Sequence, residues 1–370
     1  MYIKKSILIV FFTLIFSCSR NDIIILLTDN KIVPFYVNQF NIENKTSFIV
    51  KYKDYINMEA INKENARIVI SKTIDNINII KNFKNIKKYY SPDYTILKNI
   101  SDKFTYRIIP LSFDVPILIY KKEYNIGQYM DLQSIKSAYK IFQREKKFFI
   151  SPYISESLFY TISTINKTNF YSANNNQEHD EKKMLNIINY FKSFLDANEL
   201  KLQKKFTEKY KYLKLENILL EKNTLLIAGL SNLTYYNRLN KDIKNKLNFL
   251  YLTDQNKKLT VSNISFMGVQ ELSQPIEKFI KWILDKETQK TLIQLKDKTK
   301  FNEHFGFISG LTSYKSLNLQ FSSIIKEATS FIIDENYINQ NSYILNKKQI
   351  EKEIQAINES FLSSIMKNPN

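Results

Sequence analysis

Cysteine is almost missing from this sequence: Cys18 is the only one in 370 residues. No intrachain disulfide can form, and a lone thiol cannot build a zinc site, so disulfide-stapled and Cys-rich metal folds are excluded. Glycine is equally scarce. The five present, Gly127, Gly229, Gly268, Gly306 and Gly310, compare with roughly twenty-six expected from an average usage of about 7%. There is no GxGxxG and no Walker loop, so dinucleotide and nucleoside-triphosphate chemistry lacks its usual phosphate cradle. Two histidines, His179 and His304, stand without a catalytic motif around either. No G-x-S-x-G and no HExxH occur, and a carboxylate pair drawn from distant positions is the remaining route to catalysis. The chain is therefore expected not to be an enzyme, and no cofactor or metal is expected.

Long apolar runs are missing too, with one exception at the start. Lys4 and Lys5 precede Ile7 to Phe16 (ILIVFFTLIF), an uninterrupted apolar stretch of signal-peptide length and too short to span a bilayer comfortably. It ends in Leu14-Ile15-Phe16-Ser17-Cys18, which resembles a relaxed lipobox with a small residue before the cysteine. Residues 1–17 are expected to be removed and Cys18 to become a lipidated N-terminus. A diacylglycerol on the thiol and an amide-linked acyl chain supply the two or more chains that stable anchoring needs. Two alternatives are an ordinary signal peptide with an incidental cysteine, and retention of the segment as an uncleaved anchor. Ser19 to Asp22 would form a very short tether.

Acidic residues are outnumbered, 36 against 54 basic ones, for a formal charge of +18 that falls by two, to +16, with Lys4 and Lys5. Such a balance suits nucleic acid, an anionic membrane or an acidic ligand. Export argues against nucleic acid. The heavy use of lysine, asparagine, isoleucine, tyrosine and phenylalanine is also what an A+T-rich genome imposes, so charge alone names no partner. The 353 residues after the signal suit two domains with real cores.

Ile23 to Leu27 reads as a fully buried strand with Thr28-Asp29-Asn30 as its polar exit, followed by a helix to Phe40. Phe48 to Tyr52 and Arg67 to Ile70 read as further strands, the last leading into Ser71-Lys72-Thr73. This alternation predicts an α/β lobe with a mainly parallel sheet and right-handed crossovers. Ligands of open sheets sit beyond the carboxyl ends of the strands, which singles out Thr28, Asp29, Asn30, Ser71 and Lys72. Ile108 to Tyr120, stiffened by Pro110 and Pro116, reads as an extended crossing segment. Phe148 to Ile150 and Leu225 to Ala228 read as strands of a second lobe, leading into Ser151-Pro152-Tyr153-Ile154-Ser155 and Gly229-Leu230-Ser231-Asn232. Apolar residues recur at helical spacing in 182–197, from Ser273 and Pro275 through Ile283, and at Ile350, Ile354, Ile357 and Phe361. Residues 174–183 are polar and read as a loop.

These pieces, in this order, resemble the substrate-binding proteins of ABC importers, of the two-lobed type II periplasmic-binding-protein-like kind. Ile109 to Tyr120 (IPLSFDVPILIY) resembles that family's hinge-spanning strands, and Phe279 to Gln289 (FIKWILDKETQ) is similar to its late helix, F-I-x-[FW]-L-L-S-x-E-x-Q. Arg67 to Ser71 resembles the DIVIS strand, Asp131 to Ile135 the W-D-E-L helix start, and Phe307 to Leu311 a late glycine-containing segment. The resemblance implies a fold of two α/β lobes, each a mainly parallel sheet flanked by helices and joined by a multi-strand hinge. Lobe 1 would be 18–113 with about 262–312, and lobe 2 would be 114–261 with about 313–370. It implies a monomer in the cell envelope that binds a small solute, carbohydrate slightly favoured, by hinge closure and delivers it to an ABC permease. Asp29, Asn30, Lys72, Asp114, Tyr153, Ser155, Ser231 and Tyr235 are the implied ligand-binding residues. Each has a plainer reading: Asp29 and Asn30 as helix caps, Asp114 as a turn residue, and the tyrosines and Trp282 as packing. Two further readings stay open, a phosphate- or anion-binding importer component and a surface lipoprotein that binds a macromolecule on the same scaffold.

Overall fold

The computed structural model describes residues 23–149 apart from gaps at 55, 75–76, 92, 95, 125–128 and 145–147, and scattered positions between 162 and 209. It further describes 224–232, 241–319 apart from 255, 260, 300 and 302–303, and residues 345–346, 355–356 and 359. Strand β1 (Ile24–Thr28) forms where four aliphatic residues are followed by a polar exit, and Ile24, Leu26 and Leu27 are buried. Ile23, expected inside this strand, lies before it and is 57% exposed. Helix α1 (Val33–Asn44) carries Pro34 in its first turn, where the fixed φ and missing N–H of proline fit. It buries Val33, Tyr36, Val37 and Phe40 and runs four residues past the expected end at Phe40. It stops at Lys45, in the left-handed region at φ 52°, whose N–H bonds Asn41 O.

In chain order there follow β2 (Phe48–Tyr52), α2 (Met58–Lys63), β3 (Ile68–Ser71), β4 (Thr73–Ile74), α3 (Lys98–Lys103), β5 (Ile108–Asp114), β6 (Pro116–Lys121) and β7 (Tyr129–Met130). Then come α4 (Leu132–Arg144), β8 (Phe148–Phe149), β9 (Thr224–Gly229), α5 (Lys241–Lys246), β10 (Leu247–Leu252), β11 (Ser262–Val269), α6 (Gln274–Leu284), α7 (Lys286–Asp297), β12 (Leu311–Thr312), α8 (Lys315–Asn318) and β13 (Leu345–Asn346). The first sheet has the order β12-β5-β11-β3-β1-β2, the second β7-β10-β6-β9-β8, and β13 pairs with β4.

Both large sheets are mixed. The β3-β1-β2 part of the first sheet is parallel, as the strand–helix alternation predicts. β11 inserts between β3 and β5 antiparallel to both, because the chain returns to this sheet only after building the second one. In the second sheet β6 is antiparallel to β9 and β10, while the outer pairs β7–β10 and β8–β9 are parallel. The crossing is abrupt. β5 ends at Asp114 in the first sheet and β6 begins at Pro116 in the second, with Val115 alone between them and every residue from Ile108 to Tyr120 buried.

Trp282 packs against Phe40 and Phe279 at centroid distances of 5.2 and 6.1 Å and donates its Nε1–H to Glu43 Oε2 at 2.8 Å. It is a packing residue, in keeping with its place off the apolar stripe of α6. Residues 186–187, 189–190, 355–356 and 359 are helical. The rest of the helices expected over 182–197 and from Ile350 to Phe361, and the loop expected over 174–183, lie outside the described residues. Among the described residues no helix is long and apolar enough to cross a membrane.

Candidate functional site

β1 and β3 run side by side in the same direction, so their exits meet at one end of the first sheet. There Asp29 bridges them: its carboxylate accepts from Ser71 Oγ at 2.5 Å and from the Lys72 backbone N–H at 3.0 and 3.1 Å. Asn30, buried, is a second junction. Its Oδ1 accepts from Ile32 N at 3.2 Å and its Nδ2 donates to Ile308 O at 3.2 Å, 278 positions away in sequence. Neither residue caps α1, whose N-cap is Ile32 with no side-chain cap bond.

The segment that Asn30 holds is a tight turn. Phe307 N donates to Gly310 O at 2.8 Å, Gly310 N returns the bond to Phe307 O at 3.2 Å, and the two central residues, Ile308 and Ser309, have φ of 48° and 58°. Positive φ at both central positions is the demand of a type I′ turn, which Asn-Gly satisfies cheaply and a β-branched isoleucine does not. The surroundings hold it there. Ile308 O accepts from Ser112 Oγ as well, at 3.0 Å, Ser309 Oγ lies 3.4 Å from Asn30 Oδ1 and 3.2 Å from His304 Nδ1, and buried Lys296 donates to His304 O. Gly310 is required by proximity: a Cβ there would sit 2.5 Å from the backbone carbonyl oxygen of Phe113 and 3.0 Å from its carbon.

At the crossing, Asp114 is buried and accepts three bonds, from Val115 N at 2.9 Å, Ser231 N at 2.9 Å and Ser231 Oγ at 2.6 Å. Burial pushes its carboxyl above the usual carboxylate range, while the bonds from Ser231 and Val115 and the charge of Lys72 pull the other way. Leu230 N donates to Val115 O at 2.7 Å, so both sides of the crossing are tied to the exit of β9. Gly229 makes the approach possible, because a Cβ there would overlap Asp114 Oδ2 and stand 2.9 Å from its Cγ. The ammonium of Lys72 forms no ion pair among the described residues, and its charge reaches Asp114.

Of the eight expected ligand-binding residues, the structure therefore brings Asp29, Asn30 and Lys72 together at the exits of β1 and β3, and joins Asp114 to Ser231 directly. Tyr153, Ser155 and Tyr235 lie outside the described residues, as does Cys18. The turn at 306–310 and its anchors Ser112, His304 and Lys296 were not legible as part of the site. Only the glycine pair around an aliphatic stretch hinted at a close backbone approach. Among the described residues no group of three or more His, Cys, Asp or Glu side chains is placed to hold a metal ion.

No family model and no curated protein matches the sequence. Solved structures do match, over nearly the whole chain. The ABC transporter solute-binding protein of Agrobacterium radiobacter K84 in complex with ribitol aligns with TM-score 0.56 and 12% identity, covering 92% of this chain and 94% of that one. The solute-binding protein of Thermotoga lettingae bound to α-D-tagatose gives 0.55 and 10%, with the same coverage. The spermidine/putrescine substrate-binding protein PotD of Streptococcus pneumoniae gives 0.53 and 10%, covering 92% and 98%. The chain has the two-lobed α/β fold of ABC-transporter solute-binding proteins, the type II periplasmic-binding-protein-like fold. The matched proteins are themselves binding components of transporters, not enzymes.

Proposed function

We propose that this chain is a lipid-anchored extracytoplasmic solute-binding protein that delivers a small solute to an ABC permease by hinge closure. The observation that carries the reading is the single-residue crossing at Val115, with buried Asp114 tied to Ser231 from the second sheet's side and within reach of the charge of Lys72 at the strand exits that carry Asp29 and Asn30. A solute that touches both sides of such a crossing favours the closed arrangement through contacts the open one lacks. In this reading the lobes divide as 18–113 with about 262–312, and 114–261 with about 313–370. Cys18 carries the lipid, the protein acts as a monomer in the cell envelope, and Tyr153, Ser155 and Tyr235 complete the site from the second lobe. Carbohydrate is slightly favoured, in line with the ribitol and tagatose bound by two of the similar proteins.

Two observations keep neighbouring readings in view. The ammonium of Lys72, which forms no ion pair among the described residues, suits an anionic solute such as phosphate. The acceptors of Asp29, Asn30 and Asp114 are already bonded within the protein, which suits a scaffold that binds a macromolecular partner instead. Thermal-shift screening of the exported protein against sugars, oligosaccharides, polyamines, peptides and phosphate separates them. Saturable stabilisation by one class supports solute binding and names the class. No shift with any of them, together with capture of a protein partner, refutes it.

A further inference from the structure

At the end of the second sheet away from the crossing, β6 and β10 stop together. They pair antiparallel, and the last rung sets Leu247 opposite Lys121. Five residue steps of strand, about 17 Å, separate Lys121 from Pro116, so this end lies well away from Asp114 and Lys72. Beyond the rung the chain turns on both sides: Lys122–Tyr124 forms a single 3-10 turn, and α5 ends at Lys246, directly before β10. The turn and α5 lie against each other, which sets Lys122 and Lys246 at adjoining positions.

A cavity of about 450 Å³ opens here, lined by Lys121, Lys122, Glu123, Asn245 and Lys246. Its charge is lopsided. The two stretches that meet, 121–124 and 241–246, hold five lysines against two acids, Glu123 and Asp242, and three of those lysines face the cavity with Glu123 as the one carboxylate among its described lining residues. Glu123 stands 3.8 Å from Lys121 and its side chain is 64% exposed, so water screens that pair. Lys122 and Lys246 are exposed and form no ion pair among the described residues. Like charges brought to facing positions at the end of a strand pair cost stability, and an anion held between them removes that cost.

The lining also says which anion. Among the described residues it offers no arginine fork for the bidentate grip of a carboxylate and no aromatic face for a sugar ring or a base. Lysines act on phosphate oxygens as point charges, without that geometric demand. The volume falls within the roughly 300–1,000 Å³ of small-ligand sites, room for several linked phosphates. We propose that this cavity is a second site of the protein, which binds an oligophosphate: Lys121, Lys122 and Lys246 neutralise the phosphate chain and the Asn245 amide donates to one of its oxygens. The site is separate from the strand exits at Asp29, Asn30 and Lys72 and does not depend on hinge closure.

Calorimetric titration of the full chain, in nonionic detergent, with inorganic tripolyphosphate tests this. The expected result is saturable binding of one equivalent. Lys122→Gln and Lys246→Gln should each weaken it about fivefold, the factor that one charge about 4 Å away supplies in water. Glu123→Gln removes the carboxylate and should tighten binding about twofold or more, a gain that a misfolded variant would not give. Lys72→Gln at the strand exits and Lys98→Gln in the first lobe lower the net charge by the same amount and should leave the affinity unchanged. Both Lys122 and Lys246 are exposed, and unchanged far-UV circular dichroism shows that their variants are folded. Wild-type protein that shows no saturable binding overturns the site. Weakening by Lys72→Gln with Lys122→Gln and Lys246→Gln unaffected puts the anion at the strand exits and overturns it too. Equal weakening by Lys98→Gln assigns the effect to the charge of the whole chain, against a local site. ATP bound more than tenfold tighter than tripolyphosphate overturns recognition through the phosphate chain alone.

Discussion

Replacing Gly229 by alanine tests how the crossing is held. The added Cβ would overlap Asp114 Oδ2 and stand 2.9 Å from its Cγ, so the carboxylate must leave the place where Val115 N, Ser231 N and Ser231 Oγ bond it. Hydrogen bonds to a charged acceptor contribute about 1.5–3 kcal/mol each and are not additive. Displacing the group as a whole is expected to cost about 3 kcal/mol. Asp114→Ala alone should cost a similar amount, because it leaves the buried donors of Val115 and Ser231 without their acceptor. The double mutant decides. Once the carboxylate is gone, Gly229→Ala meets no obstacle and gains about 0.5–1 kcal/mol from replacing glycine within a strand. The two changes should then show a coupling of about 2 kcal/mol or more, read from urea denaturation followed by far-UV circular dichroism and Trp282 fluorescence. If Gly229→Ala costs the same in both backgrounds, within about 0.5 kcal/mol, the steric argument is refuted.

Three further outcomes are expected. The folded-state pKa of Asp114 is raised above its ordinary value of 3.8, so the native state holds a proton that the unfolded chain releases, and stability falls as pH rises from 3.8 through the raised value. Asp114→Asn keeps an acceptor and removes the titration, so the difference in unfolding free energy between wild type and variant should change across that interval and level off above it. A constant difference would contradict the burial of the carboxyl. Lys45→Gly, at an exposed left-handed C-cap, should raise stability by about 1 kcal/mol in thermal unfolding, since glycine meets no Cβ penalty at φ 52°. Asn30→Ala removes the donor to Ile308 O and the acceptor of Ile32 N, and should cost about 2 kcal/mol. Hydrogen exchange at Phe307 and Gly310 should accelerate in that variant, and unchanged protection there would mean the turn holds itself.

The parts of this fold that repeat simple patterns were readable in advance. β1, β3, the crossing at 108–120 and α6 follow from aliphatic runs, polar exits and a 3.6-residue stripe, each set by nearby residues. The place of β11 was not readable, because nothing in residues 262–269 shows that they insert between β3 and β5. The strand exits likewise pointed to Asp29, Asn30 and Lys72, but what their side chains do depends on partners far along the chain. Asn30 meets Ile308 and Asp114 meets Ser231 across 278 and 117 positions. Asp29 reads in sequence as a ligand-binding residue or a helix cap and is found bonded to the exit of β3. The left-handed Ile308 carries no local signal at all, since sequence preference there argues for Asn or Gly.

The position of β11 also sets an order of assembly. Among the described residues the five strands of the second sheet fall between Pro116 and Leu252, while the first sheet needs Ile24 at one extreme and Thr312 at the other. If the chain emerges N-terminus first, it can finish the later lobe before the earlier one. The half that begins nearest Cys18 waits with β1, β2 and β3 formed at most as a partial sheet, its β3 edge open until residues 262–269 arrive. Long-range pairing of this kind is slow and leaves strand edges exposed meanwhile. Chaperones that hold unfinished chains should therefore engage this protein through its first hundred residues, and a truncation before Ser262 should leave a folded second sheet beside an aggregation-prone first one.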